Sequence, residues 1–596
     1  MTIQPSKIAI IRWRATCTTI DDSIRILEAT SINWVVIHTT IVLSDTEHTS
    51  RRGFLKRAGS ATVATASVTT LAGCSGGDDD ADSSDAGDSG TDSLRYGRGA
   101  HSSTLDPQNT TSGEVAKVTN QAYEGLISFQ VGEAALTEAL ATDWSMEGDS
   151  VTLTLREGVT FHDGSEFTAD DFIATYRRFV DEEYEYYFED ASAYGPFTLG
   201  NWIDSVEASG DYELSISLNQ TYAPFLRNLA MFAAVVISRQ AIEGEVNLDE
   251  EMVGTGPFQL ETLDDANNRI QLTAYEDYWG ESPTVDEVLF LTRGQNSTRA
   301  QALVEEELDI IDGLDPDSIQ IIEGSDTAET RTVQGINIGY MGFNLSRVEA
   351  FRDRRVRRAI SYAIDTEAIV ENIYSGIAAP ADQPIPPALF GHNDDISPYE
   401  YDPEEAQRLL DEAGYDDGFA FTLTTFQNPR GYNPAPLQTA QTIRSNLSDV
   451  GIEVTIDDRQ FSDYLTYTSQ GRHDATLAGW YTDNADPDNF CYVLLHPQTE
   501  SPDDQDWVPW DTDGYNTSNN TAWANSEYME LVEQAQTTTD QEERAQLYQE
   551  ASQIAHDEAP WVFIDYADEV RGVSDRVSNY TVAAIGGPYL EAVELG

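Results

Sequence analysis

The sequence predicts an α/β protein built from two or more lobes around partly parallel sheets. The chain has 596 residues, whereas one ordinary domain has about 100–200. From residue 402 to residue 481, segments with helical spacing of apolar residues alternate with short apolar runs typical of buried strands. Such alternation is typical of sheets in which helices connect parallel strands. The apolar content of 40% and the aromatic content of 10% are sufficient for packed cores.

The folded body is predicted to begin near Leu94 and to be rich in strands at first. Residues 151–155 alternate between apolar and polar side chains, as a half-buried strand does. Thr168, with Asp171 three positions later, predicts the capping box at the start of a helix. His162 could be a catalytic base, but a turn residue is favoured because no nucleophile or second histidine accompanies it.

The second half is predicted to contain longer helices and buried strands. The apolar spacing predicts one helix from Arg352 to Tyr374. Its many arginines are expected on a solvated face paired with nearby acids, with docking of a partner as the alternative. Asp402 as N-cap, a proline after it and Gly414 predict the bounds of a second helix. Residues 561–564 are predicted to form a buried strand.

The charge of the chain excludes nucleic acid as a partner and is typical of adaptation to high salt. Lysine and arginine number 34 against 104 aspartates and glutamates, so the net charge is −70. Nucleic acid requires a basic face. The only lysines are Lys7, Lys56 and Lys117, and the acids are spread along the chain instead of forming a tail. Molar salt shortens the Debye length to about 3 Å and so relieves the self-repulsion of such a surface.

An export signal is predicted in the N-terminal region. Arg51 and Arg52, followed by a weakly apolar segment, resemble a twin-arginine export motif. Residues 71–74 resemble a lipoprotein cleavage box in which Cys74 is the lipidated residue. Residues 49–73 are therefore predicted to be the signal of a lipoprotein, with a structural helix that carries a buried cysteine as the alternative.

The segments on either side of this signal are predicted to lie outside the folded body. Residues 74–93 contain mainly Gly, Ser, Asp and Ala and are expected to form an acidic, flexible tether. Residues 1–48 fit no part of an export signal, and we expect a spurious or unstructured extension with translation starting nearer Thr49. Cys491 is then predicted to be a buried apolar residue without a disulfide.

The residues from Gly479 to Phe490 form the candidate binding loop. They follow a short apolar run at 475–478 that predicts a buried strand, and loops at strand ends commonly carry binding residues. Asp483 beside the aromatic Trp480 suits a pocket for a cation. A polar turn is the alternative, because Asn, Asp and Pro are ordinary turn residues.

Other chemistry finds little support in the sequence. Asp486 and Asp488 could be imagined as calcium ligands together with Asp483, but the pattern of a calcium-binding loop is missing, and their predicted role is to shape the turn. The chain has no G-x-S-x-G and no H-E-x-x-H motif of a hydrolase. We therefore predict a protein that is not an enzyme and uses no cofactor and no metal.

A series of landmarks along the chain identifies a family. These are residues 155–164 (LREGVTFHDG), 254–258 (GTGPF), 275–280 (YEDYWG), 357–365 and 479–490. In this order they resemble the dipeptide/oligopeptide-binding family (family 5) of extracellular solute-binding lipoproteins of ABC transporters, here of a haloarchaeal type. The resemblance implies a two-lobed, periplasmic-binding-protein-like (type II) clamshell with mixed sheets and an extra inserted domain. Lobe I would comprise residues 94–128, 253–338 and 557–596, the inserted domain residues 129–252, and lobe II residues 339–556.

The same resemblance implies four ligand-binding residues. Asp483 would pair with the α-ammonium of a peptide, and Arg430 with its α-carboxylate. Tyr432 and Trp480 would form walls of the pocket. Gly431 stands where dipeptide-binding members have proline, which leaves the Arg430 loop freer to move. Two fixed charges select ligand length, because each residue adds about 3.3–3.6 Å.

The implied function is the capture of short peptides, with dipeptides favoured, and their delivery to a membrane permease driven by ATPases. The protein is expected to act as a monomer held at the extracellular face of the membrane by its lipid anchor. The alternative is a receptor of the same fold for an oligosaccharide, a nickel complex or a haem-like compound. Few histidines disfavour nickel, and a sugar site would have stacking aromatics without the Arg430–Asp483 pair.

Overall fold

The computed structural model describes residues 93–189, 194–427, 429–501 and 505–596. The predicted extension 1–48, the signal 49–73 and all but the last residue of the tether 74–93, with Cys74, lie outside these ranges. The strands are β1 (Ser93–Arg98), β2 (Ile127–Phe129), β3 (Leu136–Glu138), β4 (Ala141–Glu147), β5 (Ser150–Leu155), β6 (Ile203–Gly210), β7 (Glu213–Leu218), β8 (Phe258–Asp264), β9 (Arg269–Ala274), β10 (Glu287–Thr292), β11 (Ile310–Ile311), β12 (Ala328–Gln334), β13 (Asn337–Phe343), β14 (Ala378–Pro380), β15 (Ala420–Phe426), β16 (Glu453–Arg459), β17 (Ala475–Tyr481), β18 (Trp561–Ser574), β19 (Val577–Ser578) and β20 (Glu594–Leu595). The helices are α1 (Gly113–Thr119), α2 (Ala169–Val180), α3 (Phe225–Asn228), α4 (Arg239–Glu243), α5 (Asn296–Val304), α6 (Pro316–Glu323), α7 (Arg354–Ala363), α8 (Thr366–Asn372), α9 (Pro403–Ala413), α10 (Pro436–Asp449), α11 (Phe461–Ser469), α12 (Asp488–Leu495), α13 (Ser526–Thr537) and α14 (Gln541–Glu558).

The main sheet has 12 strands, and its path runs β16-β15-β17-β13-β18-β11-β1-β10-β9-β8, with β12 and β14 also paired to β18. Strand β15 is parallel to β16 and β17, and β1 is parallel to β10 and β11. The central pairs of β13 with β17 and with β18 are antiparallel. The prediction of an α/β protein with partly parallel sheets is therefore confirmed.

A separate antiparallel sheet with the order β4-β5-β7-β6 has its own core, formed by buried side chains between Leu126 and Val236. This sheet falls within the predicted inserted domain. The main sheet continues without a break from β16 to β8 and crosses the boundary predicted between the lobes. The domain boundaries themselves stay a prediction.

Several local predictions are confirmed. At the start of α2, Asp171 Oδ2 accepts a hydrogen bond from the Thr168 backbone N–H at 2.9 Å, which is half of the predicted capping box. Helix α9 has Asp402 as its N-cap and ends before Gly414, whose φ of 84° is left-handed. Cys491 is buried, as predicted.

The prediction of one helix from Arg352 to Tyr374 is wrong. The chain leaves the helical conformation at Ile364, and the Asp365 side chain accepts a hydrogen bond from the N–H of Ala368 at 2.9 Å, so that it caps the new helix α8. An aspartate at a potential N-cap competes with helix continuation for the backbone. The predicted solvated arginine face is also wrong at Arg357, which is 1% exposed and donates to backbone oxygens of Phe351 and Glu558.

The strand predicted at residues 561–564 is much longer, because β18 continues to Ser574 as the shared neighbour of β11, β12, β13 and β14. Apolar and polar side chains alternate less clearly after residue 564, so the local pattern does not predict the rest of the strand. Pairing with the neighbouring strands keeps these residues extended. Among the described residues, no helix is long and apolar enough to cross a membrane. The same residues contain no group of three or more His, Cys, Asp or Glu side chains that could bind a metal ion.

Candidate functional site

The candidate loop connects β17, which ends at Tyr481, to α12, which begins at Asp488. One side chain holds both sides of the loop: Asn489 Oδ1 accepts a hydrogen bond from Trp480 Nε1 at 2.7 Å and one from the Asp483 backbone N–H at 3.2 Å. Thr482 Oγ1 accepts from the N–H of Ala485 at 2.9 Å, and Ala485 has a left-handed φ of 52°. These internal hydrogen bonds give the loop a fixed shape.

The Asp483 carboxylate is partly buried and, within the described chain, has no basic partner within ion-pair distance. Its Oδ1 accepts a hydrogen bond from the Tyr194 hydroxyl at 2.7 Å. Burial raises the pKa of Asp483 to about 6, against the smaller lowering effects of hydrogen bonds from Tyr194 and Asn489. Asp483 is therefore a mostly ionised but poorly solvated anion at neutral pH, which favours the approach of a cation.

Three residues of the predicted inserted domain form side-chain hydrogen bonds with the candidate loop and the start of α12. Tyr194, next to a π-helical turn at Pro196–Gly200, contacts Asp483 as described. Asn228 Oδ1 accepts from Asn484 Nδ2 at 2.8 Å, and the Tyr222 hydroxyl donates to Asp488 Oδ2 at 3.2 Å. The position of the candidate carboxylate thus depends on two parts of the chain that are far apart in sequence.

Asp486 and Asp488 shape the turn as predicted, and they are also buried anchors. Asp486 Oδ1 accepts the N–H of Asp488 at 3.0 Å. The Asp486 carboxylate, 0% exposed, receives two hydrogen bonds from the Arg544 guanidinium at 2.8 and 3.0 Å, and Arg227 lies 3.7 Å away. Burial, and then the charge of Asp486, raises the pKa of Asp488 to about 7. This cluster ties the loop to α14.

Arg430 lies in a tight turn and is exposed. The backbone N–H of Arg430 donates to the Asn433 oxygen at 3.0 Å, and the N–H of Asn433 donates back at 2.9 Å. The Arg430 guanidinium lies 3.7 Å from the centre of the Phe461 ring. None of the carboxylates in the described ranges is within ion-pair distance of it. Its charge is therefore available, and stacking on Phe461 restricts its orientation.

Tyr432, in the same turn as Arg430, contacts the strand that leads into the candidate loop. A Cβ atom at Gly479 would collide with the Tyr432 ring, so the ring lies directly on the backbone of β17. A Cβ atom at Gly431 would collide with the Tyr481 hydroxyl. Trp480 alternates with Gly479 along the strand, so its side chain leaves the opposite face and bonds to Asn489. The aromatic pairs of Tyr432 are with Phe426 and Tyr481, not with Trp480.

His162 has a structural role in the described chain. Its Nε2 is 3.0 Å from the Gly256 oxygen, and its ring meets the Tyr275 ring edge-on at 4.8 Å. Burial lowers the pKa of His162. Three landmarks of the sequence therefore meet at one junction, and the interpretation of His162 as a turn residue is confirmed.

Sequence reasoning missed Tyr194, Asn489 and Arg544. Tyr194 stands 289 positions from Asp483, and no local motif marks it. Asn489 belongs to the candidate loop, and its amide could have been recognised as a hydrogen-bonding group for the turn. Arg544 lies on α14 as one more charged residue, and only tertiary structure brings it to Asp486.

Comparison with known proteins agrees with this architecture. The family model "Bacterial extracellular solute-binding proteins, family 5 Middle" matches residues 135–502, more than half of the chain. The dipeptide-binding protein of Escherichia coli (strain K12) is 30% identical, over 82% of this chain and 92% of that protein. Heme-binding protein A of Haemophilus influenzae is 31% identical, over 78% and 86%.

A solved structure supports the fold directly. The ABC transporter-associated periplasmic binding protein DppA from Helicobacter pylori, in complex with the peptide STSA, has a TM-score of 0.67 and 31% identity, and the match covers 84% of this chain and 98% of that one. The predicted two-lobed, type II periplasmic-binding-protein fold is thus confirmed, and these relatives are solute-binding proteins and not enzymes. On the extent of the family match and the identity to its members, this chain belongs to family 5 of the bacterial extracellular solute-binding proteins.

Proposed function

We propose that this chain is the lipid-anchored extracellular receptor of an ABC importer, and that it captures short peptides, dipeptides in preference, for delivery to the membrane permease. The observation that carries the proposal is Asp483. It is a partly buried carboxylate on a rigid loop, with a raised pKa and no basic partner within the described residues. An α-ammonium supplies the missing charge.

The electrostatics favour a ligand with a positive end. Desolvation disfavours the ionised carboxylate, and the Tyr194 hydroxyl offsets only part of this cost. A charge-assisted hydrogen bond from an ammonium group offsets more, with typical net values of about 1.5–3 kcal/mol. Enclosure in a closed cleft strengthens such a pair, since salt screens exposed pairs much more than buried ones.

Arg430 is the proposed partner of the ligand's α-carboxylate. Its guanidinium is exposed, and Phe461 holds it by stacking. The fork of a guanidinium matches a carboxylate in two-pronged geometry. Tyr432, in the same turn, lies on Gly479 and so links the Arg430 turn to the Asp483 loop. This link supports a cleft in which both ends of a short peptide are bound.

Ligand length is the finer part of the proposal. A dipeptide pairs with both charges, whereas a longer chain extends past Arg430 because each residue adds about 3.3–3.6 Å. Among the relatives, the Helicobacter pylori structure is a complex with the peptide STSA, and the E. coli relative carries the name dipeptide-binding protein. Both lengths therefore need to be measured for this chain.

The proposed location rests on the N-terminal signals. Cys74 would carry the lipid after twin-arginine export, and residues 74–93 would tether the folded body to the extracellular face of the membrane. The net charge of −70 and the scarcity of lysine support a haloarchaeal type that works in brine.

A haem-like compound is the second candidate ligand, because heme-binding protein A of Haemophilus influenzae is 31% identical. A peptide and a haem would pair with different charged residues of the site. A haem presents carboxylates and no ammonium, so it would engage Arg430 and leave Asp483 unpaired. Loss of Asp483 should therefore harm peptide binding and spare haem binding.

Calorimetric titration in molar salt tests the proposal. The ligands are a dipeptide, a tripeptide, a pentapeptide, an N-acetylated dipeptide and haem. We expect the free dipeptide to bind at least tenfold more tightly than its acetylated form. Equal affinity for both would remove Asp483 from its role, and binding of haem alone would replace the peptide function.

A further inference from the structure

A second buried carboxylate, that of Asp565, lies close to the candidate site. Asp565 on β18 is 0% exposed, and both of its carboxylate oxygens have no hydrogen-bond partner among the described residues. A buried carboxylate that is left unpaired is destabilising, because nothing replaces the hydration that it loses on folding. Such a group in a folded protein therefore needs an explanation, such as an ion or a ligand.

The sheet brings Asp565 next to the Tyr432 wall. Asp565 pairs with Gly339 of β13, and Gly339 pairs with Gly479 of β17, so the three residues stand in one row across adjacent strands. Residues paired directly across antiparallel strands share a face of the sheet. The Tyr432 ring lies over Gly479, and a Cβ atom at Gly339 would collide with both Asp565 Oδ1 and the Tyr432 carbonyl oxygen. The two glycines make room for Tyr432 and Asp565 side by side.

The space between Asp565 and Tyr432 is lined by hydrogen-bond acceptors. Asp565 contributes two oxygens, and the Tyr432 carbonyl contributes a third that accepts no hydrogen bond from the described residues. Tyr374 and Tyr481 are the titratable groups that feel the charge of Asp565, and the Tyr374 hydroxyl is engaged with Thr439 at 3.2 Å. With Asp565 ionised, the site offers three acceptors and no donor, which matches a primary ammonium with its three donors and no acceptor.

We propose that Asp565 and the Tyr432 carbonyl form a second cation subsite of the cleft, which takes the primary ammonium of a lysine-like ligand side chain. This inference rests on the proposed function, since the same ligand would place its α-ammonium at Asp483. A metal ion fits less well, because a hard cation takes six or more oxygen ligands and the described residues near Asp565 form no metal-binding group.

The turn from Arg430 to Asn433 covers the subsite. Its fold-back depends on two backbone hydrogen bonds, and Gly431 within it is exposed. A small opening of this turn lifts Tyr432 from Gly479 and gives a side chain access to Asp565. The same turn carries Arg430, so binding of a ligand at Arg430 and entry of its side chain are expected to occur together.

Occupation of the subsite should release a proton. Burial raises the pKa of Asp565 well above its ordinary value, which favours the protonated carboxyl in the empty site. An arriving ammonium replaces that proton, and the carboxyl proton goes to the buffer. A neutral side chain of the same length causes no such release.

The test uses the whole mature protein and two pairs of dipeptides, Lys-Ala with norleucyl-alanine and Ala-Lys with alanyl-norleucine. Titrations in two buffers of different ionisation enthalpy give both the affinity and the number of protons released. We expect one lysyl peptide to bind at least tenfold more tightly than its norleucyl partner and to release about one more proton. Both differences should disappear in Asp565→Asn and persist in Asp568→Asn, a matched control on the same strand.

The outcomes separate the two proposals. Equal affinity and equal proton release for lysyl and norleucyl peptides in the unmodified protein would overturn the subsite, even if Asp565→Asn cannot be folded. Differences that survive in Asp565→Asn would overturn it as well. Failure of every dipeptide to bind would instead contradict the proposed peptide function, which the norleucyl peptides test without any cationic side chain.

Discussion

Acid should weaken dipeptide binding through one residue, Asp483. The free protein holds this carboxyl with a pKa of about 6, because burial outweighs the hydrogen bonds from Tyr194 and Asn489. Binding of an α-ammonium requires the ionised form. Protons therefore compete with the ligand near and below pH 6, and affinity is fully present only well above this pH and is lost as pH falls through it.

The magnitude follows from one ionisation. Each pH unit below the pKa costs about 1.4 kcal/mol, which is a tenfold loss of affinity. Affinity at pH 5 should thus be about one-tenth of that at pH 7.5. Asp483→Asn should remove the pH dependence and weaken binding by about 2–5 kcal/mol, on the order of 30- to 4,000-fold.

Calorimetry with a dipeptide between pH 4.5 and 7.5 in molar salt measures this acid limb. Tyr194→Phe removes a donor that stabilises the ionised carboxylate, so the midpoint of the limb should move to higher pH. The N-acetylated dipeptide serves as the control ligand, since it has no ammonium to pair with Asp483. Its weaker binding should not fall further with acid.

Two results would refute this reasoning. One is a dipeptide affinity that stays constant from pH 7.5 to pH 4.5. The other is an acid limb that persists unchanged in Asp483→Asn. In either case another group controls binding, and the cation site must be sought elsewhere in the cleft.

Four further predictions concern the cleft, the anchor of the loop and the membrane. Arg430→Ala should weaken dipeptide binding by about 10- to 100-fold, the value of a charge-assisted hydrogen bond, and leave pentapeptide binding unchanged in the same titrations; equal losses contradict selection by length. Asp488, with its pKa raised to about 7, binds a proton on folding, so thermal stability should fall as pH rises from 5 to 8. Calorimetric melting should show a smaller fall in Asp488→Asn. Gly479→Ala should drive Tyr432 from its place and cost about 1–3 kcal/mol of stability together with dipeptide affinity, whereas an unchanged melting temperature would mean that the ring moves freely. Cys74→Ser should release the exported protein from the membrane fraction into the medium, and retention of the variant would argue against a lipid anchor.

Sequence patterns alone were sufficient for several parts of this protein. Residues whose conformation depends on near neighbours agree with the prediction, such as the Asp402 cap, the left-handed Gly414 and the Asp171 half of the capping box at Thr168. These features depend on hydrogen bonds between residues a few positions apart. Donor and acceptor can therefore both be recognised in one short stretch of sequence. The landmarks identified the family for the same reason, because each is a short local motif.

Predictions failed where long-range contacts override local preference. Apolar spacing favoured one helix through Ile364, but the chain breaks there and Asp365 caps a new helix. The charge pattern predicts a solvated face for Arg357, yet tertiary packing buries its side chain against backbone oxygens. The spacing of apolar residues predicts which face of a helix is buried. It does not predict which polar side chain is buried with a hydrogen-bond partner from a distant part of the chain.

The sequence by itself determined that Asp483 is the residue to examine, along with the family, the fold class and the acidic surface. Only the tertiary structure decided the state of that carboxylate and its surroundings. The Tyr194 hydroxyl, the Arg544 anchor of Asp486 and the unpartnered Asp565 reach the region from distant parts of the chain. A pKa depends on burial and on neighbouring charges in space, and a linear sequence does not specify those neighbours until the chain has folded.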